Sequence, residues 1–162
     1  MATTGNENLF DDLQLPQGDT HVVLVRTAWN APITCELEAG CLRVFKKYGI
    51  RSTSIVVPGA VELPFMIKAH ASKAADKADA YIAIGCVIKG GTPHFEYVCQ
   101  SVTQGITHLN TTLEVPVIFG VLTLLNQQQA VERTGGIHGH KGEEAALTAL
   151  QMIALNRSLL LK

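Results

Sequence analysis

The residues with the clearest potential for chemistry lie in the run "KGGTPH", residues 89 to 94. This run follows an apolar segment and precedes a segment with helical spacing, so we predict a turn between a strand and a helix. Gly90 and Gly91 let backbone N–H groups converge, Thr92 adds a hydroxyl donor, and the helix start favours negative charge. The pattern therefore favours an anion site. The alternative is an ordinary turn with Thr92 as the helix cap.

His94 would occupy the first turn of that helix, where an imidazole can accept and release protons near neutral pH. The alternative is an ordinary surface histidine. His138 and His140 also suggest a metal site, but neither helical i, i+4 spacing nor a carboxylate cluster accompanies them. We therefore predict no metal site.

A second polar cluster lies in "ERTGGIHGHKGEE", residues 132 to 144. Arg133 is the strongest candidate for binding an anion, because a planar guanidinium matches phosphate oxygens. Lys141 is the second candidate. Glu144 is predicted one turn into the last helix, where the helix dipole already favours a carboxylate. Each of these charges could instead be a solvated group at the end of a helix.

Two further candidates follow the first two predicted strands. Trp29 is the only tryptophan, and it could stack on a planar heterocycle or be partly buried under the next helix. Glu62 could accept hydrogen bonds from ligand hydroxyls or act as an ordinary carboxylate at a helix start.

Short apolar runs alternate with helical patterns along the chain. Asn30 and Asn126 are predicted helix caps. The alternation predicts an α/β fold with three α/β/α layers and a central four-stranded parallel sheet, of the flavodoxin-like kind. Ligands of such sheets bind at the carboxyl ends of the strands, where the candidates fall. The predicted strands are 21–27, 53–60, 80–88 and 115–123, and the predicted helices are 31–48, 61–77, 93–112, 126–135 and 142–158.

Length and composition narrow the class of protein. The chain has 162 residues, which predicts one domain over 20–162 after a flexible polar arm over 1–19. Hydrophobic residues make up 47% and charged residues only 17%, which favours an oligomer that covers apolar surface. The net charge of −1, with scattered basic residues, argues against nucleic acid.

Location is predicted from what the sequence lacks. No apolar run reaches the ~20 residues of a membrane span, and residues 1 to 20 lack the features of a signal peptide. The four cysteines form no C-x-x-C pair and are predicted to be buried free thiols, which fits a reducing compartment. We therefore predict a cytoplasmic protein without membrane contact.

Six separated motifs resemble those of the lumazine synthase family in type and order, across about residues 21 to 158. The resemblance implies a transferase that condenses 5-amino-6-(D-ribitylamino)uracil with 3,4-dihydroxy-2-butanone 4-phosphate. The product is 6,7-dimethyl-8-ribityllumazine, with release of phosphate and water, in the penultimate step of riboflavin biosynthesis. It also implies that no metal or organic cofactor is used. The motifs are "WNAPIT", "VPGAVELP", "GCVIKGGTPHFEYV", "VPVIFGVLT", "AVERTGG" and "GHKGEEAA".

The resemblance also implies roles for individual residues. His94 and Arg133 would be catalytic, with His94 moving protons and Arg133 gripping the phosphate. Phe119 would be contributed by a neighbouring subunit. The other implied substrate-binding residues are Trp29 and Asn30; Ala60, Val61 and Glu62 for the pyrimidine and ribityl chain; Cys86, Val87 and Ile88 for the pyrimidine edge; Gly91 and Thr92 for phosphate; and Lys141 and Glu144 as helpers of Arg133.

Two positions depart from the family pattern. Trp29 stands where phenylalanine is commoner, and its larger face suggests the hypothesis that product or riboflavin is retained. Ile137 stands where many members carry a lysine. Either His138 or His140 partly replaces that charge, or phosphate is bound more weakly.

The resemblance implies a homopentamer with active sites between adjacent subunits. In some members twelve pentamers form an icosahedral shell, and the short turn "TGGIHGHKG" favours that state. The arm could pair with a neighbouring subunit, although Pro16 opposes strand pairing. Association with riboflavin synthase is a further implied possibility.

Two rival functions remain open. A different flavodoxin-like enzyme acting on phosphosugars or nucleotides would explain the sheet and the anion turn, but not the family match of Trp29, Glu62, Phe119 and Arg133. A non-enzymatic shell or binding protein would need neither His94 nor Arg133.

Overall fold

The computed structural model of the chain describes residues 10 and 13–159. Most of the predicted arm, residues 1 to 19, lies outside the described residues, and the domain boundary at residue 20 stays a prediction. Within the described part, Arg157 donates hydrogen bonds to the carbonyl oxygens of Gln17 and Asp19 and forms an ion pair with Asp79 (2.8 Å). The last helix is thereby tied to the segment that leads into the first strand.

Strands and helices alternate along the chain as predicted. A 3-10 turn, Ala60–Glu62, precedes the second α-helix. The elements are β1 (His21–Thr27), α1 (Ala31–Tyr48), β2 (Arg51–Val57), α2 (Leu63–Lys73), β3 (Ala80–Ile88), α3 (His94–Thr112), β4 (Val117–Leu124), α4 (Gln128–Val131), β5 (Thr134–Gly136), β6 (Gly139–His140) and α5 (Lys141–Leu159).

The central sheet has the strand order β2-β1-β3-β4, and its neighbouring strands are all parallel. One face packs a core that includes Leu24, Ile82 and Leu150, contributed with α1 and α5. The other face packs a core that includes Tyr81 and Ile106, contributed with α2 and α3. Apolar residues on both sides of β3 explain its unbroken hydrophobic run. The predicted three-layer α/β/α fold is confirmed.

The region after β4 differs most from the prediction. The predicted helix over 126–135 is wrong, because α4 has four residues and the chain then forms the antiparallel hairpin β5–β6. Gly135 (φ +112°) and Gly139 (φ +71°) hold left-handed backbone positions that end helical geometry and turn the hairpin. Asn126 Oδ1 does accept the N–H of Gln129 at 3.1 Å, but the N-cap residue of α4 is Gln127 rather than the predicted Asn126.

Two strands have bounds that differ from the prediction at both ends. β2 begins at Arg51, which pairs with His21, and it ends at Val57 rather than at residue 60 because Pro58 has no N–H to donate. β4 shifts in the opposite direction, from the predicted 115–123 to Val117–Leu124.

Helices α1 and α5 cross at very short range because glycines lie at the contact. A methyl group on Gly142 would overlap the carbonyl oxygen of Leu37, and one on Gly40 would overlap the His140 ring. Cys41 Sγ donates to the Gly142 carbonyl at 3.1 Å. In the part of the chain that the structure describes, no helix has the length and apolarity needed to cross a membrane.

Candidate active site

A cavity of about 380 Å³ opens at the carboxyl ends of β1 and β3. Such an edge is where parallel α/β sheets bind ligands. Ten of the predicted site residues line it: Trp29, Asn30, Ala60, Val61, Glu62, Cys86, Val87, Ile88, Thr92 and His94.

Trp29 projects from the turn between β1 and α1 and is 74% exposed. The turn is held by hydrogen bonds from the Trp29 N–H to the Pro58 carbonyl (3.0 Å) and from the Ala28 N–H to the Val57 carbonyl (2.7 Å). Thr27 Oγ1 donates to the Trp29 carbonyl at 3.0 Å. The backbone is fixed while the indole stays open, so burial under the next helix is the wrong interpretation and a stacking surface is available.

Asn30 connects this turn to β3. It has φ 58°, and it is the one non-glycine residue of positive φ among the described residues. Asn30 occupies the predicted N-cap position of α1, but its side-chain amide donates to the Cys86 carbonyl at 2.8 Å and makes no capping bond. A carbonyl oxygen has two lone pairs, and the Cys86 oxygen can therefore still accept a bond from a ligand.

Glu62 lies at the end of the 3-10 turn, which starts α2 two residues later than the predicted residue 61. The Glu62 N–H bonds to the Gly59 carbonyl at 3.3 Å. A methyl group on Gly59 would come within 3.0 Å of Glu62 Oε2. Gly59 therefore leaves room for an exposed carboxylate at the cavity wall, where it can accept from hydroxyls.

The predicted anion turn is open and anchored at both ends. The Lys89 N–H donates to the Leu124 carbonyl (2.8 Å), and Lys89 Nζ pairs with Glu96 Oε1 (3.0 Å) across the turn. The hydrogen bond from Lys89 holds the pKa of Glu96 below its usual range. No atom would meet a methyl group on Gly90 or Gly91, so a ligand can approach the backbone closely.

The start of α3 faces this turn. Pro93 occupies the N-cap position without a side-chain cap, so Thr92 is not the helix cap. His94 is the first residue of α3 and is exposed at the cavity. First-turn N–H groups and an accessible imidazole thus lie together, which suits anion binding next to proton transfer.

The cysteines are poor candidates for covalent chemistry. Burial raises the pKa of the Cys86 thiol to about 11, so it stays protonated at neutral pH. All four cysteines are free, but the prediction that they are buried holds only for Cys41 and Cys86; Cys35 is exposed and Cys99 is partly exposed. Because its thiol stays protonated, Cys86 can contribute its backbone to the cavity but not a thiolate.

Five predicted site residues do not line this cavity: Gly91, Phe119, Arg133, Lys141 and Glu144. Gly91 lies between the lining residues Gly90 and Thr92. Phe119 lies on the edge strand β4 and is 42% exposed. Arg133 Nη1 donates to the Gln129 carbonyl (3.0 Å) and contacts Glu132 Oε2 (3.3 Å), and Lys141 Nζ pairs with Glu144. The last three residues form a separate charged cluster around the β5–β6 hairpin.

Four lining residues were not among the predicted substrate-binding residues, although Gly90 belongs to the predicted anion turn: Gly59, Gly90, Phe95 and Val98. Phe95 and Val98 lie one turn apart on α3, with Val98 four residues after His94. This i, i+4 spacing places Val98 on the face that carries His94, which was a signal available in the sequence.

The hairpin histidines occupy different surroundings. His138 Nε2 lies 4.0 Å from Glu132 Oε2, whereas the His140 side chain is only 8% exposed and lies 3.4 Å from Glu36 Oε1. Ile137 is 82% exposed. His138 is therefore the more accessible of the two candidates for replacing the lysine charge, and weaker phosphate binding stays the alternative. Within the described residues, no three His, Cys, Asp or Glu side chains gather as a metal site would require.

The fold and the cavity define a flavodoxin-like α/β protein with a ligand site at the carboxyl edge of its sheet. The family model for 6,7-dimethyl-8-ribityllumazine synthase matches residues 19–157. The 6,7-dimethyl-8-ribityllumazine synthase of Porphyromonas gingivalis is 46% identical over 97% of this chain and 99% of its own length. The enzymes of the same name from Parabacteroides distasonis (42%, 94% and 98%) and Bacteroides fragilis (47%, 80% and 92%) are similar as well. The chain belongs to the 6,7-dimethyl-8-ribityllumazine synthase family, which confirms the resemblance.

Proposed function

We propose that this transferase condenses 5-amino-6-(D-ribitylamino)uracil with 3,4-dihydroxy-2-butanone 4-phosphate to give 6,7-dimethyl-8-ribityllumazine, phosphate and water. The observation that carries the proposal is the cavity itself, where Trp29, Glu62 and His94 meet the open turn of residues 89 to 94. Family membership at 46% identity supports the same reaction.

The pyrimidine substrate is proposed to stack on Trp29, with its edge along the backbone of Cys86, Val87 and Ile88. Asn30 orients the Cys86 carbonyl. The wall formed by Ala60, Val61 and Glu62 receives the ribityl chain, because an exposed carboxylate accepts hydrogen bonds from hydroxyls.

The phosphate is proposed to bind at Gly91 and Thr92, against the N-terminus of α3. The pyrimidine amine attacks the ketone and forms an imine with loss of one water, phosphate is then eliminated, and ring closure with loss of a second water completes the product. His94 takes and returns protons during these steps. Most of the acceleration comes from positioning the two reactants and from stabilising the departing phosphate.

A neighbouring subunit is proposed to complete the site with Phe119, Arg133, Lys141 and Glu144. This is supported by their position outside the cavity of their own chain, on a sheet edge and a hairpin. Exposed apolar side chains such as Phe65 (71%) and Tyr97 (68%) also favour assembly. We propose a homopentamer and, as the further state, twelve pentamers in a shell.

Cytoplasmic location and association with riboflavin synthase are part of the same proposal. The free cysteines support a reducing compartment. Riboflavin synthase association would place this enzyme next to the one that consumes its product.

The test is to mix the purified chain with both substrates and follow lumazine absorbance and fluorescence. Product must form faster than in the protein-free mixture, which reacts slowly by itself. Formation at only the uncatalysed rate would reject the proposal and leave a shell or binding protein as the better explanation.

A further inference from the structure

We propose that His140 is a positioning residue that caps α5, fixes the β5–β6 hairpin against α1, and thereby aims Arg133 and Lys141 at the substrate phosphate. The inference rests on the proposed function, in which these two cations bind that phosphate.

The His140 ring packs against the backbone at Gly40 and lies next to Gly135. Its side chain is 8% exposed. A methyl group on Gly40 of α1 would overlap Cε1 and Nδ1 of the ring, and one on Gly135 of β5 would lie 3.8 Å from Cδ2. The absence of a side chain at Gly40 lets the imidazole pack directly against the α1 backbone, whereas a methyl group on Gly135 would only make ordinary van der Waals contact with the ring.

The two ring nitrogens have different partners. The Glu143 N–H donates to Nδ1 at 3.4 Å, and Nε2 lies 3.4 Å from Glu36 Oε1. Nδ1 can accept only when it carries no proton, so the geometry assigns a neutral ring with its proton on Nε2, donated to Glu36.

This arrangement makes His140 the cap of α5. The helix begins at Lys141, so Glu143 is its third residue, the position whose N–H an N-cap side chain satisfies. Serine, threonine, asparagine or aspartate usually fills this role. Histidine reaches further, and its second nitrogen adds a tether to α1 that a shorter cap cannot make.

Nearby charges are consistent with a neutral ring. Arg43 of α1 lies 2.9 Å from Glu143 Oε1 and 3.4 Å from Glu36 Oε1. The carboxylates of α1 and α5 that lie beside His140 therefore already share one cation. They can accept from the imidazole without requiring it to be charged.

The cap is directly linked to the proposed phosphate cations. His140 pairs with Thr134 across the hairpin, and the Lys141 N–H donates to the Arg133 carbonyl at 2.8 Å. Loss of the ring would therefore let both cations shift together, while the pyrimidine surface at Trp29 belongs to a different turn.

The test is His140→Ala in the full chain, with KM measured separately for each substrate and folding checked by thermal melting. We expect KM for the sugar phosphate to rise roughly fivefold, the size of a lost helix cap. KM for the pyrimidine should stay unchanged. His140→Asn, which keeps a capping acceptor but not the tether to Glu36, should recover part of the loss, and His108→Ala, at an exposed histidine of α3, should behave as wild type.

Arg133→Ala, measured in parallel, separates the positioning role of His140 from the proposed binding of phosphate by Arg133. If it raises KM for the sugar phosphate while folded His140→Ala does not, the positioning role is overturned and the phosphate role stands. If Arg133→Ala leaves that KM unchanged, the proposed phosphate binding itself fails. An equal rise in both KM values for His140→Ala would indicate a general structural defect and would also overturn the inference.

Glu36→Ala keeps the proposal testable if His140→Ala does not fold. Glu36 is about half exposed, so its loss should not prevent folding. Removing the tether should raise KM for the sugar phosphate roughly two- to threefold without changing KM for the pyrimidine. An unchanged KM for the sugar phosphate in this variant would count against the tether and overturn the proposal.

Discussion

At the residue scale, the site combines one exposed aromatic face, one exposed imidazole and an unobstructed glycine turn. Trp29 and His94 come from turns after different strands, and each is accessible while its backbone is held by neighbouring hydrogen bonds or helix geometry. Because the backbone is fixed and the functional groups are free, substitutions at these two positions should change kinetics with little effect on folding.

Replacing His94 with alanine should reduce kcat by roughly 100-fold, the usual contribution of a general acid or base. The variant should elute at the same size as wild type, since His94 is exposed. His108→Ala is the matched control. An unchanged kcat for His94→Ala would remove His94 from the mechanism.

Replacing Trp29 with alanine should raise KM for the pyrimidine roughly tenfold through loss of stacking. Trp29→Phe should lose much less, because an aromatic face remains. As Trp29 is the only tryptophan, quenching of its fluorescence by the pyrimidine measures binding directly in the wild type. Unquenched fluorescence at saturating pyrimidine would contradict stacking at this position.

At the element scale, the crossing of α1 and α5 depends on residues without side chains and on a buried thiol. Leu37, Gly40 and Cys41 face Gly142 and His140 at distances that allow no added methyl group. This contact supports the hairpin that carries Arg133, although it lies outside the cavity.

Gly142→Ala should lower the free energy of unfolding by roughly 1–3 kcal/mol, because the new methyl group would meet the Leu37 backbone, which cannot rotate away. Urea unfolding measures the change. Gly90→Ala, in open space, is the control for the general effect of replacing glycine. Equal stability of both variants would show that the crossing relaxes more easily than the geometry implies.

Alkaline pH should weaken the same crossing. Burial raises the pKa of the Cys41 thiol from 9.0 to about 12, so the unfolded chain loses this proton first. The contribution of the protonated Cys41 thiol to the free energy of unfolding is fully present below pH 9. It is lost as pH rises towards 12, at up to about 1.4 kcal/mol per pH unit. In reducing buffer, Cys41→Ala should show a shallower decline in the free energy of unfolding between pH 8 and 10 than wild type. Cys35→Ala, at an exposed thiol of the same helix, should not.

At the scale of the whole molecule, the proposed site is divided between chains. His94 lines the cavity, whereas Arg133 lies on a hairpin outside it. A site that needs both residues therefore depends on how two copies pack.

Mixing inactive His94→Ala and Arg133→Ala chains should restore activity if sites are shared. In randomly mixed oligomers about a quarter of the interfaces would carry both native residues. Co-expressed, differently tagged chains and the lumazine assay measure this recovery, and sizing gives the assembly state. No recovery in verified mixed oligomers, or full activity of a strictly monomeric wild type, would contradict the shared site.

Much of the fold could be predicted because local patterns were strong. The unbroken apolar run of β3 and the alternation of strands with helices indicated a parallel sheet. The rule for its carboxyl edge located Trp29, Glu62 and the turn of residues 89 to 94, and the family resemblance added Cys86, Val87 and Ile88. The β5–β6 hairpin was missed because "AVERTGG" has helical composition, and its left-handed glycine positions are a property of the folded backbone.

The sequence by itself determined the class of fold, the family and the chemical types at the site, since hydrophobic periodicity and ordered motifs are local and survive without coordinates. Only the tertiary structure decided that the Asn30 side chain bonds to β3 instead of capping its helix, and that the His140 ring packs against the α1 backbone at Gly40. The physical reason is that a hydrogen bond or a close packing contact between distant segments depends on which backbones the fold brings together. Residue type and spacing indicate which contacts a side chain can make, and the tertiary structure determines which partner it contacts.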